Sequence, residues 1–453
     1  MNFANHLLVF ARLPKVGINK TRLISAIGAE NATLVYRQLV DRTLCQVRQL
    51  VSEQGVRVTV CYTGGSASDI ENALGDDLEF HEQIGQSLGD RLQLATKTAF
   101  EAGANRVIVI GTDCPSLTSQ DLSSAFQQLE AHDMVIGPAL DGGYYLIGLN
   151  AECGSLFTDI DWSTSKVLEQ TVHKSRELNL RVHQLRILAD VDYPEDLLPL
   201  RASGEGQLLP FHSESEKLSV IIPTINEEQN LPATLRSIGP IVDDLEVIVV
   251  DAGSTDQTRS IAEQSGCKVF VGNRGRAKQM NAGAAVATGE HLLFLHADTL
   301  LPEGYRCEIR RVLDDSVVCG AFPLTIDTRR FTYRLLECCI AFRSRVLQMP
   351  YGDQAIFFRA ADFYQQGGFR TLKIMEDYEL VARTRKLGRI GFATHPVTTS
   401  GRRWLKKGIL KTTIINQMCI LAYRLGFSDE QIAKFYSSNR ANTVQSNLTS
   451  RNK

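Results

Sequence analysis

Val107-Ile108-Val109-Ile110-Gly111-Thr112-Asp113 and Leu292-Leu293-Phe294-Leu295-His296-Ala297-Asp298 carry the same message at two places in one chain. Each is an unbroken apolar run of four that passes through a short turn to an aspartate. An apolar run without alternation is the pattern of a strand buried on both faces, as in a parallel sheet covered by helices. Such sheets bind ligands beyond the carboxyl ends of their strands, so both aspartates stand where a ligand belongs. Capping of the following helix is the other task an aspartate performs at that position.

Outward from these two segments the same grammar repeats. Leu7 to Ala11, Val56 to Tyr62, Arg106 to Ile110 and Met134 to Ile136 read as strands separated by helical patterns. Leu218 to Pro223, Leu245 to Val250, Lys268 to Val271 and His291 to Leu295 do so again further along. Between the two sets lies a polar stretch with Ser203-Gly204-Glu205-Gly206 and His212 to Lys217, which has the composition of a linker. The expected organisation is therefore a domain over 1–205, a linker over 206–216 and a domain over 217–453. A length of 453 residues, about three times a typical ~150-residue domain, suits two large cores.

Composition narrows the class. With 43% hydrophobic and 22% charged residues the chain is an ordinary globular one. Lys and Arg number 49 against 51 Asp and Glu, a net charge of -2 that gives no general attraction to nucleic acid, so a polyanion would have to be gripped locally. Ten scattered cysteines without a C-x-x-C pair suggest buried thiols in a reducing cytoplasm rather than disulfides or zinc. Leu7 to Phe10 is too short for a signal-peptide core. The apolar stretch Ile409 to Leu425 is interrupted by Lys411, Asn416, Gln417 and Arg424, so no transmembrane segment is expected there. Peripheral contact with a membrane and closure of an acceptor pocket are the two readings of this tail.

In the first half, Phe10 to Leu23 joins a strand to a helix through a loop carrying Arg12, Lys15, Gly17, Lys20 and Arg22. Cations at a helix N-terminus favour phosphate, although a solvated basic surface has the same composition. Then follow Gly111-Thr112-Asp113-Cys114-Pro115, Asp141-Gly142-Gly143-Tyr144-Tyr145 and Trp162-Ser163-Thr164. Together these motifs resemble the transferase 1 family (DUF2064) related to molybdenum-cofactor guanylyltransferase and phospholactate guanylyltransferase. The resemblance implies a nucleotide-diphospho-sugar transferase fold, with Lys20 and Arg22 on phosphates and Asp113 and Asp141 on a divalent metal. Arg12, Gly17, Gly142 and Gly143 would then border the nucleotide. The Lys20 head group is expected to face solvent when no ligand is bound. Gln83, Gly85, Asp90 and Arg91 form either a further substrate loop or a plain turn, and Asp190 to Asp196 either structural or catalytic acids.

In the second half, Val220-Ile221-Ile222-Pro223-Thr224-Ile225-Asn226-Glu227-Glu228 and Val249-Val250-Asp251-Ala252-Gly253-Ser254-Thr255-Asp256 resemble the family 2 glycosyltransferases. That resemblance places Pro223, Glu227 and Asp251 at the base and ribose, Arg276 and Lys278 at the donor diphosphate, and Asp298 at the metal. Where the family has D-x-D this chain has His296-Ala297-Asp298. Gly352-Asp353-Gln354 and Glu376-Asp377-Tyr378 fit the acceptor side, with Asp353 binding and Asp377 as the base beside Glu376. Acids in the first turn of a helix also simply complement its dipole. Arg403-Trp404 partly matches the Q-x-x-R-W motif of processive synthases, with Ser400 in place of Gln, which argues against a long-polymer synthase. The tail is similar to that of transferase 2 proteins of arsenosugar-type clusters.

The expectation is thus an α/β chain of two nucleotide-diphospho-sugar transferase (GT-A-like) domains, each a mostly parallel sheet flanked by helices. Mg²⁺ or Mn²⁺ is the expected cofactor, and nucleotide sugar and nucleoside triphosphate the expected partners, with a small-molecule or lipid acceptor and no nucleic acid. The second domain is expected to be an inverting glycosyltransferase and the first a nucleotidyltransferase on a phosphorylated small substrate. Two alternatives stand beside this: both halves glycosyltransferases on a lipid or carotenoid acceptor, or a first half that only binds nucleotide as a regulator.

Overall fold

A computed structural model describes residues 4–202, 214–313, 316–328, 331–400 and 409–436. The chain divides into two compact units, Met1–Asp196 and Leu197–Lys453. In the first, strands β1 (Asn5–Arg12), β2 (Arg57–Thr63), β3 (Glu79–Glu82), β4 (Arg106–Ile110), β5 (Met134–Pro138), β6 (Tyr144–Leu149) and β7 (Val182–Gln184) form one sheet in the order β3-β2-β1-β4-β6-β5-β7. The second adds β8 (Glu214–Thr224), β9 (Leu245–Asp251), β10 (Lys268–Val271), β11 (Gly289–Phe294), β12 (Thr299–Leu300), β13 (Val317–Ala321), β14 (Leu324–Ile326), β15 (Phe357–Arg359), β16 (Arg389–Phe392) and β17 (Val397–Thr399). Its main sheet runs β10-β9-β8-β11-β15-β13-β16, and β12-β17-β14 form a smaller one.

Numbered by chain order within each main sheet, both read 3-2-1-4-6-5-7, so one architecture is used twice. The sheets are mostly parallel, as their apolar runs require, but not wholly so. Strand β6 runs antiparallel to β4 and β5, and β15 antiparallel to β11 and β13. Neither β6 nor β15 is among the strands expected from the sequence, and it is these two that bring in the antiparallel pairings.

Helices cover the faces with their apolar stripes. Along Ala29–Glu53 the residues Ala32, Val35, Tyr36, Leu39, Val40, Leu44, Val47 and Leu50 are buried, the spacing of one helical face. Helix Leu88–Glu101 starts with a capping box in which Ser87 and Asp90 satisfy each other's backbone N–H groups. Asp90 is thereby a helix cap. Helix Arg276–Val286 lies so close to β8 that a Cβ at Gly283 would come within 2.5 Å of Ile221 Cγ2. Arg201 lies just short of the stretch read as a linker, most of which falls outside the described residues. Its guanidinium donates to the carbonyls of Ala285 and Ala287, which ties it to the second unit. All ten cysteines are free. Among the described residues no helix is long and apolar enough to cross a membrane.

His6 on β1 is 5% exposed and its Nε2 lies 2.9 Å from Thr59 Oγ1. Burial, helped by the charge of Arg57, lowers its pKa to about 4. The unfolded chain takes up a proton near pH 6.5 that the folded chain refuses, so this contribution is constant above pH 6.5 and is lost as pH falls towards 4. Between pH 7.5 and 4.5 wild type should lose roughly 2–3 kcal/mol more of first-unit stability than His6→Gln, measured by urea unfolding.

Candidate functional site

In the first unit the cationic loop delivers Lys20 to the carboxyl edge of the sheet. Lys20 immediately precedes helix Thr21–Ile27 and has left-handed backbone, φ 48°, a conformation that a side-chain-bearing residue adopts at a cost of order 1 kcal/mol. Its Nζ lies 2.7 Å from Asp113 Oδ1 and 3.1 Å from Asp192 Oδ1. Arg22 reaches the other oxygen of Asp192 at 2.7 Å. Burial alone would lower the pKa of Lys20, but the two carboxylates outweigh it and hold the ammonium charged. The head group expected to face solvent is instead only 6% exposed, because two acids enclose it.

Asp113 sits three residues beyond β4, as the sequence suggested, and its carbonyl accepts from the N–H of Val191. That bond brings the Asp190 to Asp196 segment to the same edge. Asp190 is pushed up to about 6 by burial, and next by the charge of Asp141. Asp141 is exposed and accepts from the Gly143 N–H at 2.8 Å. Gly142 has φ 91°, and a Cβ there would fall 2.3 Å from the Ser165 carbonyl, so glycine is required. Asp196 only caps its own turn, accepting from the N–H groups of Asp192 and Tyr193. Asp192, one of the acids left open between a structural and a catalytic role, is the partner that Lys20 and Arg22 share. Its partners lie 172 and 170 positions away, a separation no local pattern reports. Arg12 and Gly17 are exposed on the same loop.

In the second unit, helix Arg276–Val286 is fixed above the strand ends by buried Gln279, whose Nε2 donates to the carbonyls of Thr224 on β8 and Val250 on β9. This places Arg276 in a pocket lined by Met280, Phe294, His296, Gly352, Ile356, Phe369 and Asp377. Arg276 meets buried Glu376 at 3.0 Å. Burial, reinforced by the charge of Asp377, pushes the Glu376 carboxyl up against the pull of Arg276. Glu376, Asp377 and Asp298 all act on the guanidinium and together hold its pKa above the usual value despite burial. Asp377 Oδ2 accepts from the Gly352 N–H at 2.8 Å and Oδ1 from the Tyr378 N–H at 2.7 Å. Before it stands Met375 with φ 72°, a second left-handed residue at a site edge. A Cβ on Gly352 would come within 3.2 Å of both Asp377 Oδ2 and His296 Nε2, so the two side chains converge on this glycine.

Other expected residues scatter more widely. Asp251, read as a base or ribose ligand, is 0% exposed. One oxygen takes the N–H groups of Gly253 and Ser254 and the other the hydroxyls of Thr224 and Ser254, so the carboxylate holds a turn and presents nothing to a ligand. Glu227 is half-buried beyond β8 and accepts from Asn230 Nδ2 at 2.5 Å. Pro223, Lys278, Asp298 and Asp353 are half-buried. Arg403 and Trp404 lie outside the described residues.

Among the described residues no three His, Cys, Asp or Glu side chains cluster as a metal cage. Mg²⁺ and Mn²⁺ held through one or two carboxylates and substrate phosphates need none, and the carboxylates of Asp298 in one unit and of Asp113 and Asp141 in the other are oxygen donors of the kind such an ion takes.

These geometries agree with what the chain is similar to. Residues 46–164 match the family described as "Uncharacterized protein conserved in bacteria (DUF2064)" and residues 219–372 match "Glycosyl transferase family 2". The chain thus carries a stretch similar to each of these two families, one after the other, in two α/β units with mostly parallel sheets. An uncharacterized glycosyltransferase of Nostoc sp. is 36% identical over 112 residues, 23% of this chain and 35% of that protein. The PGL/p-HBAD biosynthesis glycosyltransferase of Mycobacterium tuberculosis is 42% identical over 98 residues, 19% of this chain and 36% of that one. The chain thus spans about a third of the length of these curated relatives. A solved chain from Desulfovibrio desulfuricans, described as a nucleotide-diphospho-sugar transferase, is 34% identical with a TM-score of 0.42 and covers 45% of this chain and 88% of its own.

The enclosed ammonium leads to a test. Lys20→Met leaves Asp113 without its cation and Asp192 with Arg22 alone, and should lower first-unit stability by about 1–3 kcal/mol. Adding Asp192→Asn should return part of that loss. An unchanged thermal midpoint for Lys20→Met would place its head group in solvent after all.

Proposed function

We propose that the second domain transfers a sugar, with inversion, from a nucleotide-sugar donor to an acceptor hydroxyl, with Asp377 as the base. The observation that carries this reading is the fixed carboxylate of Asp377, held by two backbone N–H groups in a pocket it shares with Arg276. The acceptor O–H gives its proton to Asp377 as its oxygen bonds to the anomeric carbon. The bond from that carbon to the phosphate oxygen breaks, and its electron pair leaves on the nucleoside diphosphate. Arg276 faces the charge that develops there, and Glu376 aims Arg276 rather than reacting. Asp298 and His296 would hold Mg²⁺ or Mn²⁺, an ion that neutralises diphosphate charge. With Asp251 buried in its turn, Glu227 remains the strand-end acid for the base or ribose.

For the first domain we propose binding of a nucleoside triphosphate at Lys20 and Arg22, with Asp113 and Asp141 toward a divalent ion, and nucleotidyl transfer to a phosphorylated small substrate. A second reading, nucleotide binding without catalysis, is favoured by the engagement of Lys20 with two carboxylates. Release of pyrophosphate from a nucleoside triphosphate by residues 1–205 within the full chain decides between them.

Asp377→Asn keeps size and packing but removes the base, so transfer should fall about 10²–10⁴-fold while donor affinity measured by calorimetry stays close to wild type. Donor affinity lost in proportion to rate would move Asp377 to the donor side. Asp298→Ala should instead weaken nucleoside diphosphate binding and remove its dependence on divalent cation. Equal metal-independent binding in wild type would refute that role.

A further inference from the structure

Lys20 and Arg22, the two cations of the first domain read as phosphate holders, already share an anion. Asp192 gives one oxygen to each, with Oδ1 at 3.1 Å from Lys20 Nζ and Oδ2 at 2.7 Å from Arg22 Nη1. Arg22 also faces the neighbouring Tyr193, its guanidinium carbon 4.9 Å from the ring centre. A carboxylate that bridges an ammonium and a guanidinium makes the same kind of charge-assisted hydrogen bonds that phosphate oxygens make to such a pair. Asp192 therefore takes up these donors as a ligand phosphate would.

At Lys20 the approach is closed. Its side chain is 6% exposed, with Asp113 Oδ1 at 2.7 Å as well as Asp192 at its ammonium. A phosphate reaches Nζ only if one of the two acids gives way. Withdrawing Asp113 would release Lys20 alone, whereas withdrawing Asp192 releases Lys20 and Arg22 together. The Asp192 side chain is 31% exposed, so it has water to turn into. The backbone around it is held by other groups. Asp196 Oδ2 accepts from the N–H groups of Asp192 at 3.0 Å and Tyr193 at 2.7 Å, and the Val191 N–H donates to the Asp113 carbonyl at 3.0 Å. The carboxylate can therefore leave its two cations while its turn stays in place.

We propose that Asp192 competes with ligand phosphate for Lys20 and Arg22, so that a phosphate group binds the first domain only by displacing it. This competition rests on the reading of those two cations as phosphate holders. Asp192 then sets selectivity as well as affinity. A singly charged anion offers the two cations no more than Asp192 does, while a polyphosphate brings several charges to the exchange. Binding that must first open a closed arrangement is weakened in proportion to the fraction of molecules that are open. An acid that served the ligand directly would act with the opposite sign, its removal weakening binding.

The test is calorimetric titration of the full chain with inorganic tripolyphosphate at neutral pH in EDTA, which keeps divalent ions out of the comparison. The share of binding that belongs to the first domain is the part that Lys20→Met or Arg22→Met removes. Asp192→Asn keeps the shape and loses the charge, and should tighten that share about three- to tenfold. Asp192→Ser, too short to bridge the two cations, should do the same. Asp190→Asn removes an acid of the same segment that pairs with neither cation, and should change the affinity less than about twofold. Unchanged or weaker binding by both Asp192 variants, or equal tightening by Asp190→Asn, would overturn the competition and leave the phosphate site standing. Tripolyphosphate binding that neither Lys20→Met nor Arg22→Met alters, in wild type and variants alike, would overturn both.

Discussion

The guanidinium of Arg276 against the buried carboxylate of Glu376 is the contact on which the second site depends. Glu376, Asp377 and Asp298 bring three acids to one sheet edge, and burial makes the charge of Glu376 harder to hold there. A cation among them keeps that edge folded and leaves Asp377 to its two backbone donors. The same solution recurs in the first domain, where Lys20 stands between Asp113 and Asp192. In each domain a cation at a helix start is set against acids gathered from distant segments.

The repeated strand order explains why those acids arrive together. Strand four of each sheet lies between a parallel and an antiparallel neighbour, and the turn after it carries Asp113 in one domain and Asp298 in the other. Strands β1, β2, β4, β8, β9 and β11 were readable because burial on both faces leaves unbroken apolar runs. Strands β6 and β15 were not read, since β6 opens inside the Asp-Gly-Gly-Tyr-Tyr motif and β15 has only three residues.

Site residues divided along similar lines. Asp113, Lys20, Arg276 and Asp377 could be found because each follows a strand or opens a helix within a short motif. Asp192 was seen only as one acid of a segment open between structure and catalysis, because its pairing with Lys20 and Arg22 exists only through contacts some 170 positions away. Asp251 differs again: a strong motif names it, and the fold shows its carboxylate accepting from four donors in a turn. Lys20 was expected to face solvent, and nothing local announces that two acids will close over it.

A double-mutant cycle on Arg276→Met and Glu376→Gln, read as nucleoside diphosphate release from a nucleotide sugar by the full chain, tests the central contact most directly. If Glu376 acts by aiming Arg276, either substitution alone should slow release about as much as both together, a coupling of roughly 1–3 kcal/mol. Strictly additive losses would mean that the two side chains act independently and that the site is not organised around their pair.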